Sequence, residues 1–365
     1  MKHRAIMLKP ASGLCNMCCS YCFYADLTRR RSVPSYGIMT LETARSIVDL
    51  ASAALEPGDR LSLAFQGGEP TLAGLEFFQC FCAYARERCP EVTLEFALQT
   101  NGLLLDESWI PLLKECRFLV GLSLDATAQL HDQNRRDAAG LGTYKRVMET
   151  KSLLDRHQVP YNILTVLTNQ LARHPQKVWT FLMKEGVNYV QFIPCLDELE
   201  NGKKSAYALT PQRFYSFFSG LFPLWAEAMD RGKYISVKLF DDLVNLYIRR
   251  EPTACGITGS CGVQFVVEGD GTTFPCDFYT LDQFRMGSMA RETPETLYGI
   301  GVPFLSWGQE HKEEEPCRGC RYFTVCGGGC KRMRQSMYIQ DGSCWYQKLL
   351  DEILEPLLRI GSRFA

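Results

Sequence analysis

Short apolar runs alternate with longer amphipathic segments through the first two thirds of the chain. The runs have the length of strands, and the segments between them repeat apolar residues at helical spacing, so repeated βα units on a parallel sheet are predicted. The predicted strands are Ala5–Lys9, Leu61–Gln66, Thr93–Gln99, Phe118–Leu124, Tyr161–Leu167 and Tyr189–Ile193. The predicted helices are Leu41–Ala54, Gly74–Arg88, Glu107–Glu115, Thr143–His157, Pro175–Glu185 and Pro211–Arg231.

Six such units favour a partial (β/α)6 barrel of the TIM type within the α/β class, with a doubly wound sheet as the alternative. After about residue 235 the alternation ends, and the chain is rich in cysteine and glycine up to a closing helix around Tyr346–Arg359. We therefore predict a core barrel over residues 1–235 and a small cysteine-rich domain over 236–365. In such a barrel, function lies at the C-terminal ends of the strands.

Composition and charge exclude several classes of protein. The 365 residues carry 40 Lys+Arg and 41 Asp+Glu, so the chain lacks the basic field of a nucleic-acid binder. Apolar stretches such as Phe118–Leu122 are far shorter than the roughly 20 residues that cross a bilayer. The N-terminus has no apolar core of a signal peptide before Lys9. We expect a cytoplasmic protein that binds neither nucleic acid nor membrane.

Seventeen cysteines are many for such a chain. A reducing cytosol does not sustain a disulfide scaffold, so metal or redox chemistry is indicated. Four cysteines lie between residues 15 and 22, and eight lie beyond residue 254. We expect those of the remaining cysteines that lie on apolar helix faces to be small core residues.

The first group contains Cys-x3-Cys-x2-Cys, formed by Cys15, Cys19 and Cys22. Three thiolates on one loop hold three irons of a [4Fe–4S] cluster and leave the fourth iron open to a small molecule. The alternative adds Cys18 and makes two abutting Cys-x2-Cys pairs around zinc, which would be cramped. We therefore predict that Cys18 is not a ligand.

This cysteine motif, followed by Phe23-Tyr24 in a βα-repeat chain, resembles the radical S-adenosylmethionine (SAM) superfamily. The segment Gly67-Gly68-Glu69-Pro70 resembles the motif of that superfamily that holds the amino group of SAM. Glycines permit close backbone approach and a carboxylate accepts from an ammonium, whereas the alternative is a plain turn.

The resemblance extends to further SAM contacts. It implies that Ser123 and Arg135 meet the SAM carboxylate and that Tyr21 and Leu196 flank the adenine. A helix cap, a solvated charge or core packing are the alternatives for these residues.

The eight C-terminal cysteines suffice for two fully ligated [4Fe–4S] clusters, with zinc ribbons as the alternative. Their array resembles the SPASM extension of some radical SAM enzymes. That resemblance implies one auxiliary cluster held by Cys255, Cys261, Cys276 and Cys330, and a second held by Cys317, Cys320, Cys326 and Cys344.

Five further segments resemble anaerobic sulfatase-maturating enzymes: residues 9–12, 36–39, 65–78, 98–102 and 275–279. The resemblance implies oxidation of a cysteine or serine in a sulfatase segment, Cys/Ser-x-Pro/Ala-x-Arg, to Cα-formylglycine. It further implies SAM, three [4Fe–4S] clusters and an electron donor such as flavodoxin or ferredoxin.

The same resemblance makes Asp277, next to Cys276, the proton acceptor. A turn-forming aspartate is the alternative. Tyr24 and Gln99, at the ends of early barrel elements, are predicted substrate contacts. Two other functions stay open: a maturase that crosslinks a ribosomal peptide, and a non-catalytic zinc or iron scaffold.

Overall fold

The computed structural model describes residues 2–199, 204–310 and 315–364. The chain forms two compact units that interleave along the sequence. The first comprises Met1–Ser123, Asp132–Tyr161 and Val263–Phe304, and the second comprises Leu124–His131, Asn162–Gly262 and Leu305–Ala365. The predicted domain boundary near residue 235 does not coincide with a boundary between these units and stays a prediction about the sequence.

Strands and helices alternate through the N-terminal two thirds of the chain. The strands are β1 His3–Leu8, β2 Arg60–Phe65, β3 Thr93–Thr100, β4 Leu119–Ser123, β5 Tyr161–Leu167, β6 Tyr189–Pro194, β7 Ser236–Val237, β8 Phe265–Val267, β9 Thr272–Phe274, β10 Gly287–Ser288, β11 Ile339–Gln340 and β12 Ser343–Cys344. The α-helices are α1 Phe23–Arg29, α2 Leu41–Ser52, α3 Leu75–Arg88, α4 Ile110–Glu115, α5 Ala128–Asn134, α6 Tyr144–His157, α7 Pro175–Lys184, α8 Pro211–Asp230, α9 Lys238–Val244, α10 Pro294–Gln309, α11 Phe323–Cys326 and α12 Trp345–Gly361.

In the first unit the strand order is β10-β9-β8-β1-β2-β3-β4. The pairs β1–β2, β2–β3 and β3–β4 are parallel, and β8 also joins β1 in parallel, with Leu8 opposite Val267. Strands β9 and β10 add antiparallel pairs at that edge. In the second unit β5, β6 and β7 pair in parallel, and β11 pairs with β12. The predicted α/β class and all six predicted strands are confirmed, with ends shifted by up to two residues.

The predicted helices are confirmed, with local corrections at three of their starts. Helix α6 begins at Tyr144, since Thr143 is its N-cap. Residues 107–115 form a 3₁₀ turn, Glu107–Trp109, followed by α4, because Pro111 suits the first turn of a new helix rather than the interior of one. Helix α3 begins at Leu75, since Gly74 has φ 85° and is not helical. The sequence patterns did not predict the short helices α1, α5 and α9, nor α10 and α11 in the cysteine-rich region.

Aromatic side chains fill the core of each unit. In the first unit the Phe65 ring lies 4.9 Å from that of Phe78 and 5.0 Å from that of Phe81. In the second unit Trp225 packs 5.1 Å from Phe240 and donates its indole N–H to the Ile235 carbonyl at 2.8 Å. Such cores hold the strand ends rigid, which is what a site built on them requires. Within the described residues, none of the helices combines the length and apolar character needed to cross a membrane.

Candidate active site

The cysteine loop, residues 15–22, joins β1 to α1. Backbone hydrogen bonds tie it to a distant segment: Cys18 N donates to Arg136 O at 2.8 Å and Ser20 N donates to Asn134 O at 3.0 Å. Cys15 and Cys22 are exposed and Cys19 is half-buried. Accessible thiols on a tethered loop fit the ligand set of a cluster with one open iron. Cys18 is exposed on the same loop.

Asn101, which follows β3, contacts this loop and was not predicted as a site residue. Its side-chain amide donates to Asn16 Oδ1 at 2.8 Å and approaches Cys15 Sγ at 3.9 Å. The Met17 amide also points at Cys15 Sγ, at 3.4 Å. Hydrogen bonds to ligand sulfurs are one means by which proteins adjust iron–sulfur clusters.

The two glycines after β2 lie where side chains would collide with β1 and its loop. Gly67 has φ 88°, and a Cβ there would lie 2.7 Å from Lys9 Nζ. Gly68 has φ 48°, and its Cβ would lie 2.1 Å from the Leu14 carbonyl. Both positions require glycine because of the backbone angle and the close approach.

The Glu69 carboxylate is buried and already holds four protein donors. It accepts from Thr71 N at 3.1 Å, Thr71 Oγ1 at 2.6 Å, Thr100 Oγ1 at 2.7 Å and Asn101 N at 2.7 Å. Burial nevertheless raises the pKa of Glu69, because it disfavours the charged form. The carboxylate therefore joins the turn after β2 to the end of β3.

The other predicted SAM contacts are distributed over both units. Arg135 lies 5.5 Å above the ring of Tyr21, and both are buried. Ser123 closes β4 in the first unit. Leu196 lies just beyond β6 in the second unit and is buried. The structure thus brings Arg135 and Tyr21 together, while the roles of all four stay predictions.

Asp277 lies in the first unit in a paired, polar setting. Its Oδ1 accepts from Lys9 Nζ at 2.6 Å, and its Oδ2 accepts from Gln66 Nε2 at 2.9 Å. Lys9 is fully buried, and its ammonium lies 3.8 Å from the centre of the Tyr24 ring. Gln99, the other predicted substrate contact, lies in β3 opposite Gly121. Lys9 and Gln66 directly follow β1 and β2, so the parallel pairing of these strands brings their side chains to one edge.

Tyr24 donates its hydroxyl to Glu268. Burial, and then the charge of Glu268, raise the pKa of Tyr24 well above its usual value. The phenol therefore keeps its proton as a donor.

The second unit places four of the predicted ligands around one cavity. Cys317, Cys320, Cys326 and Cys344 all line it, together with aromatic residues and Arg334. Arg334 donates to the Gly328 carbonyl at 2.9 Å and to Cys317 Sγ at 3.6 Å. Four thiols facing one space fit a fully ligated cluster, since such clusters take four cysteines.

Three cysteines of the other predicted set are neighbours in the second unit. Burial, and then the nearby charges of Cys330 and Cys261, raise the pKa of the Cys255 thiol. Cys276, the fourth member, lies in the first unit directly before a 3₁₀ turn, Asp277–Tyr279. In the part of the chain that the structure describes, no three histidine, cysteine or carboxylate side chains surround a point as ligands of a single ion would.

Among the cysteines outside these sets, Cys82 lies in α3 and is buried, as expected for a small core residue on a helix face. Cys89, Cys116 and Cys195, which lie at the ends of helices and of β6, are buried as well. Cys80 is half-buried. Burial raises the pKa of Cys89 and Cys195, which keeps both as thiols.

Sequence reasoning missed the polar partners of the predicted residues. Lys9 lies in residues 9–12, one of the segments that carry the family resemblance, and a lysine at the end of a strand is a signal that could have identified it. Gln66 directly precedes the Gly-Gly-Glu-Pro turn. For Glu268, in the turn Glu268-Gly-Asp-Gly271, no sequence signal separates a buried hub from an ordinary turn residue.

A family model described as the radical SAM superfamily matches residues 10–178, the range that contains the cysteine loop, the Gly-Gly-Glu-Pro turn and Arg135. Fold and site therefore define the class as radical SAM proteins.

Relatives define the family within this class. A cysteine-type anaerobic sulfatase-maturating enzyme of Clostridium perfringens is 41% identical over 335 residues, 91% of this chain and 90% of the relative. A serine-type anaerobic sulfatase-maturating enzyme of Klebsiella pneumoniae is 29% identical, over 96% of this chain and 88% of the relative. The solved structure described as native anSMEcpe with bound AdoMet and Kp18Cys peptide has a TM-score of 0.89 and 37% identity, and the match covers 98% of this chain and 99% of that one. The chain belongs to the family of anaerobic sulfatase-maturating enzymes.

Proposed function

We propose that this chain is a radical SAM enzyme that oxidises a cysteine or serine of a sulfatase, in the segment Cys/Ser-x-Pro/Ala-x-Arg, to Cα-formylglycine. The observation that carries the proposal is the meeting, in the first unit, of an accessible three-cysteine loop with the Gly-Gly-Glu-Pro turn, through the backbone bond from Glu69 N to Leu14 O at 2.8 Å. Membership of the family, at 41% identity over 91% of the chain, supports the same activity.

The cofactors are SAM and a [4Fe–4S] cluster, and Cys15, Cys19 and Cys22 are its proposed ligands. When bound, this pair supplies a carbon-centred radical that removes a hydrogen atom from the β-carbon of the substrate side chain. Gly67, Gly68 and Glu69 are proposed to shape the SAM site, joined by Tyr21, Ser123, Arg135 and Leu196. Because protein donors hold Glu69, we assign its carboxylate to fixing the turn as well as to receiving the SAM ammonium.

Once that hydrogen has left, the side chain must still lose one electron and one proton to become a thioaldehyde or an aldehyde. Water then converts the thioaldehyde into the aldehyde, releasing hydrogen sulfide. Asp277 is the proposed acceptor of the proton. Lys9 and Gln66 orient its two oxygens, and each oxygen has a further lone pair for the substrate. Tyr24, beside the Lys9 ammonium, and Gln99 are the proposed substrate contacts.

Two auxiliary [4Fe–4S] clusters complete the proposal; when bound, they would supply an acceptor for the electron that the substrate side chain loses. One is held by Cys317, Cys320, Cys326 and Cys344, and the cavity that these residues line supports it. The other is held by Cys255, Cys261, Cys276 and Cys330. An electron donor such as flavodoxin or ferredoxin, and a cytoplasmic location, belong to the same proposal.

We further propose the cysteine-containing sulfatase segment as the preferred substrate. The support is the difference in identity between this chain and its two kinds of relative, 41% for a cysteine-type enzyme and 29% for a serine-type enzyme.

The test is an anaerobic assay of the reconstituted protein with SAM, a reductant and two peptides bearing Cys-x-Pro-x-Arg or Ser-x-Pro-x-Arg. Mass spectrometry follows the peptide aldehyde and 5′-deoxyadenosine, and a peptide with alanine at the reacting position is the control. We expect aldehyde in the cysteine peptide first. Formation of 5′-deoxyadenosine with neither peptide changed would contradict sulfatase maturation and favour another peptide substrate, such as a ribosomal peptide to be crosslinked.

A further inference from the structure

A buried carboxylate, Glu268, lies at the end of β8 and has no role in the proposed reaction. Its backbone is held in the hairpin to β9: Glu268 N donates to Thr272 O at 2.8 Å, and Gly271 N donates to Glu268 O at 2.9 Å. Strand β8 is itself paired in parallel with β1. These two pairings place the Glu268 side chain beside the segment that leaves β1.

Both oxygens of Glu268 are used. Oε2 accepts from Ser12 Oγ at 2.6 Å. Oε1 accepts from Arg31 Nη1 at 2.7 Å and also from the Tyr24 hydroxyl. The side chains of Arg31 and Glu268 are both 0% exposed, so this is a fully buried ion pair.

The partners of Glu268 stand on opposite sides of the cysteine loop. Ser12 precedes Cys15 by three residues, whereas Tyr24 follows Cys22 by two residues and Arg31 ends the same segment. One carboxylate therefore joins the chain that enters the loop to the chain that leaves it. Ser12 also has φ 49°, a left-handed angle that a non-glycine residue adopts at a cost, and its Oγ accepts from Tyr36 N at 2.9 Å.

Arg31 also contacts other residues of the segment that leaves the cysteine loop. Its Nη2 donates to the Pro34 carbonyl at 2.9 Å, and its guanidinium lies 5.5 Å from the Tyr24 ring and 5.1 Å from the Tyr36 ring. The Glu268 carboxylate is the buried negative charge that pairs with this guanidinium. A buried ion pair is weak evidence for stability by itself, since apolar residues of similar volume often serve as well.

We propose that Glu268 is a positioning residue of the cysteine loop. It holds together the segments that enter and leave the loop, so that the thiols of the loop keep one arrangement and Tyr24 keeps its orientation. A site of this kind requires its ligands within about 0.5 Å of the productive geometry, and a loop gains that order from buried hydrogen bonds at both ends. The proposal rests on the proposed function in that the loop is taken as the cluster-binding loop.

The test compares amide hydrogen exchange, read by mass spectrometry, in the reconstituted protein under anaerobic conditions. The variants are Glu268→Gln and the double variant Arg31→Met with Glu268→Gln, which leaves no unpaired buried charge. The matched control is Glu295→Gln, which removes an ion pair with Arg4 in the same unit, away from the loop. Electron paramagnetic resonance of the reduced protein, with and without SAM, reports the cluster that responds to SAM.

We expect exchange within residues 12–31 to rise on the order of tenfold in both Glu268 variants, since charge-assisted hydrogen bonds are lost. Exchange in α3 and in the Glu295→Gln protein should match the wild type, and the SAM-responsive signal should fall in the Glu268 variants alone. Unchanged exchange in residues 12–31 would overturn the proposal, and so would a uniform rise through the whole unit in the double variant. These readouts are independent of aldehyde formation, so failure of the sulfatase assay would leave the loop result standing.

Discussion

The cysteine loop of the first unit and the cysteine-lined cavity of the second unit hold thiols in opposite ways. On the loop, Cys15 and Cys22 are exposed, and the buried polar groups lie beside it, at Glu69 and Glu268. In the cavity, Cys317 is buried and the remaining thiols are half-buried among aromatic side chains. Buried polar groups therefore flank the cysteines of the loop, whereas mainly apolar side chains surround the cysteines of the cavity.

This difference matches two tasks. A cluster that binds a small molecule needs an accessible face and ligands fixed from behind. A cluster that passes electrons needs four ligands and a surrounding that adjusts its potential, through hydrogen bonds and charge. The predictions below test this contrast.

Loss of a loop ligand should have the largest effect. In Cys19→Ala, formation of 5′-deoxyadenosine and of aldehyde should each fall on the order of a hundredfold or more, because the cluster would lose one of its three proposed ligands. Chromatography of the anaerobic reaction measures both products. The neighbouring Cys18→Ser protein is the control and should keep its activity; its inactivity would show that the ligand assignment is wrong.

Asp277→Asn should separate the two halves of the reaction. Aldehyde should fall on the order of 10²–10⁴-fold, since the amide cannot accept the proton, while 5′-deoxyadenosine continues to form. The measurement is the ratio of peptide aldehyde to 5′-deoxyadenosine, which should fall in this variant. Asp282→Asn, a short distance along the same segment, provides the control. Equal loss of both products would remove Asp277 from the role of proton acceptor.

Arg334→Leu should change the cluster that we propose for the cavity and leave the cluster proposed for the loop unaffected. The substitution removes a buried guanidinium that donates to Cys317 Sγ, and without this positive charge reduction of the cluster is less favourable. The midpoint potential of that cluster should therefore fall by about 60 mV, a tenfold change in the reduction equilibrium. A redox titration followed by electron paramagnetic resonance measures it. Arg321→Leu, which breaks an exposed pair with Asp351, should leave the potential where it was. An unchanged potential in Arg334→Leu would count against its contact with the cluster.

A carboxylate of the second unit that is poorly paired should give the smallest effect. Burial, with Asp242 nearby, raises the pKa of Asp241 from its usual 3.8 to about 6. As pH rises from about 4 to 6, the unfolded chain releases a proton that the folded protein keeps, so stability falls across that window. Asp241→Asn should therefore raise the free energy of unfolding by about 1–3 kcal/mol at neutral pH, and by less near pH 5.

Denaturant unfolding under anaerobic conditions, at about pH 5 and about pH 7.5, measures this effect. Glu268→Gln is the opposing case and should be destabilised at both pH values, because the Arg31 charge loses its partner. An equal gain for Asp241→Asn at both pH values would show that ionisation is not its cause.

Much of the site was predictable because its signals are local. Cys15, Cys19 and Cys22 share one loop, and Gly67 to Glu69 follow a strand whose apolar pattern is plain. The strand ends were predicted to within two residues for the same reason. Helix α10 was missed because its region looked irregular, and the break before α4 depends on how Pro111 begins a new helix.

The amino-acid sequence by itself determined the six strands of the βα repeat, the six helices predicted between and after them, and the family, since each depends on a pattern or motif within a short stretch of chain. Tertiary structure decided which buried charges meet. Lys9 reaches Asp277 across 268 positions and Arg31 reaches Glu268 across 237. Those pairs form because β8 returns to lie beside β1. Burial removes water from each charged group, so each group must find its partner among the side chains that the fold brings within hydrogen-bond distance.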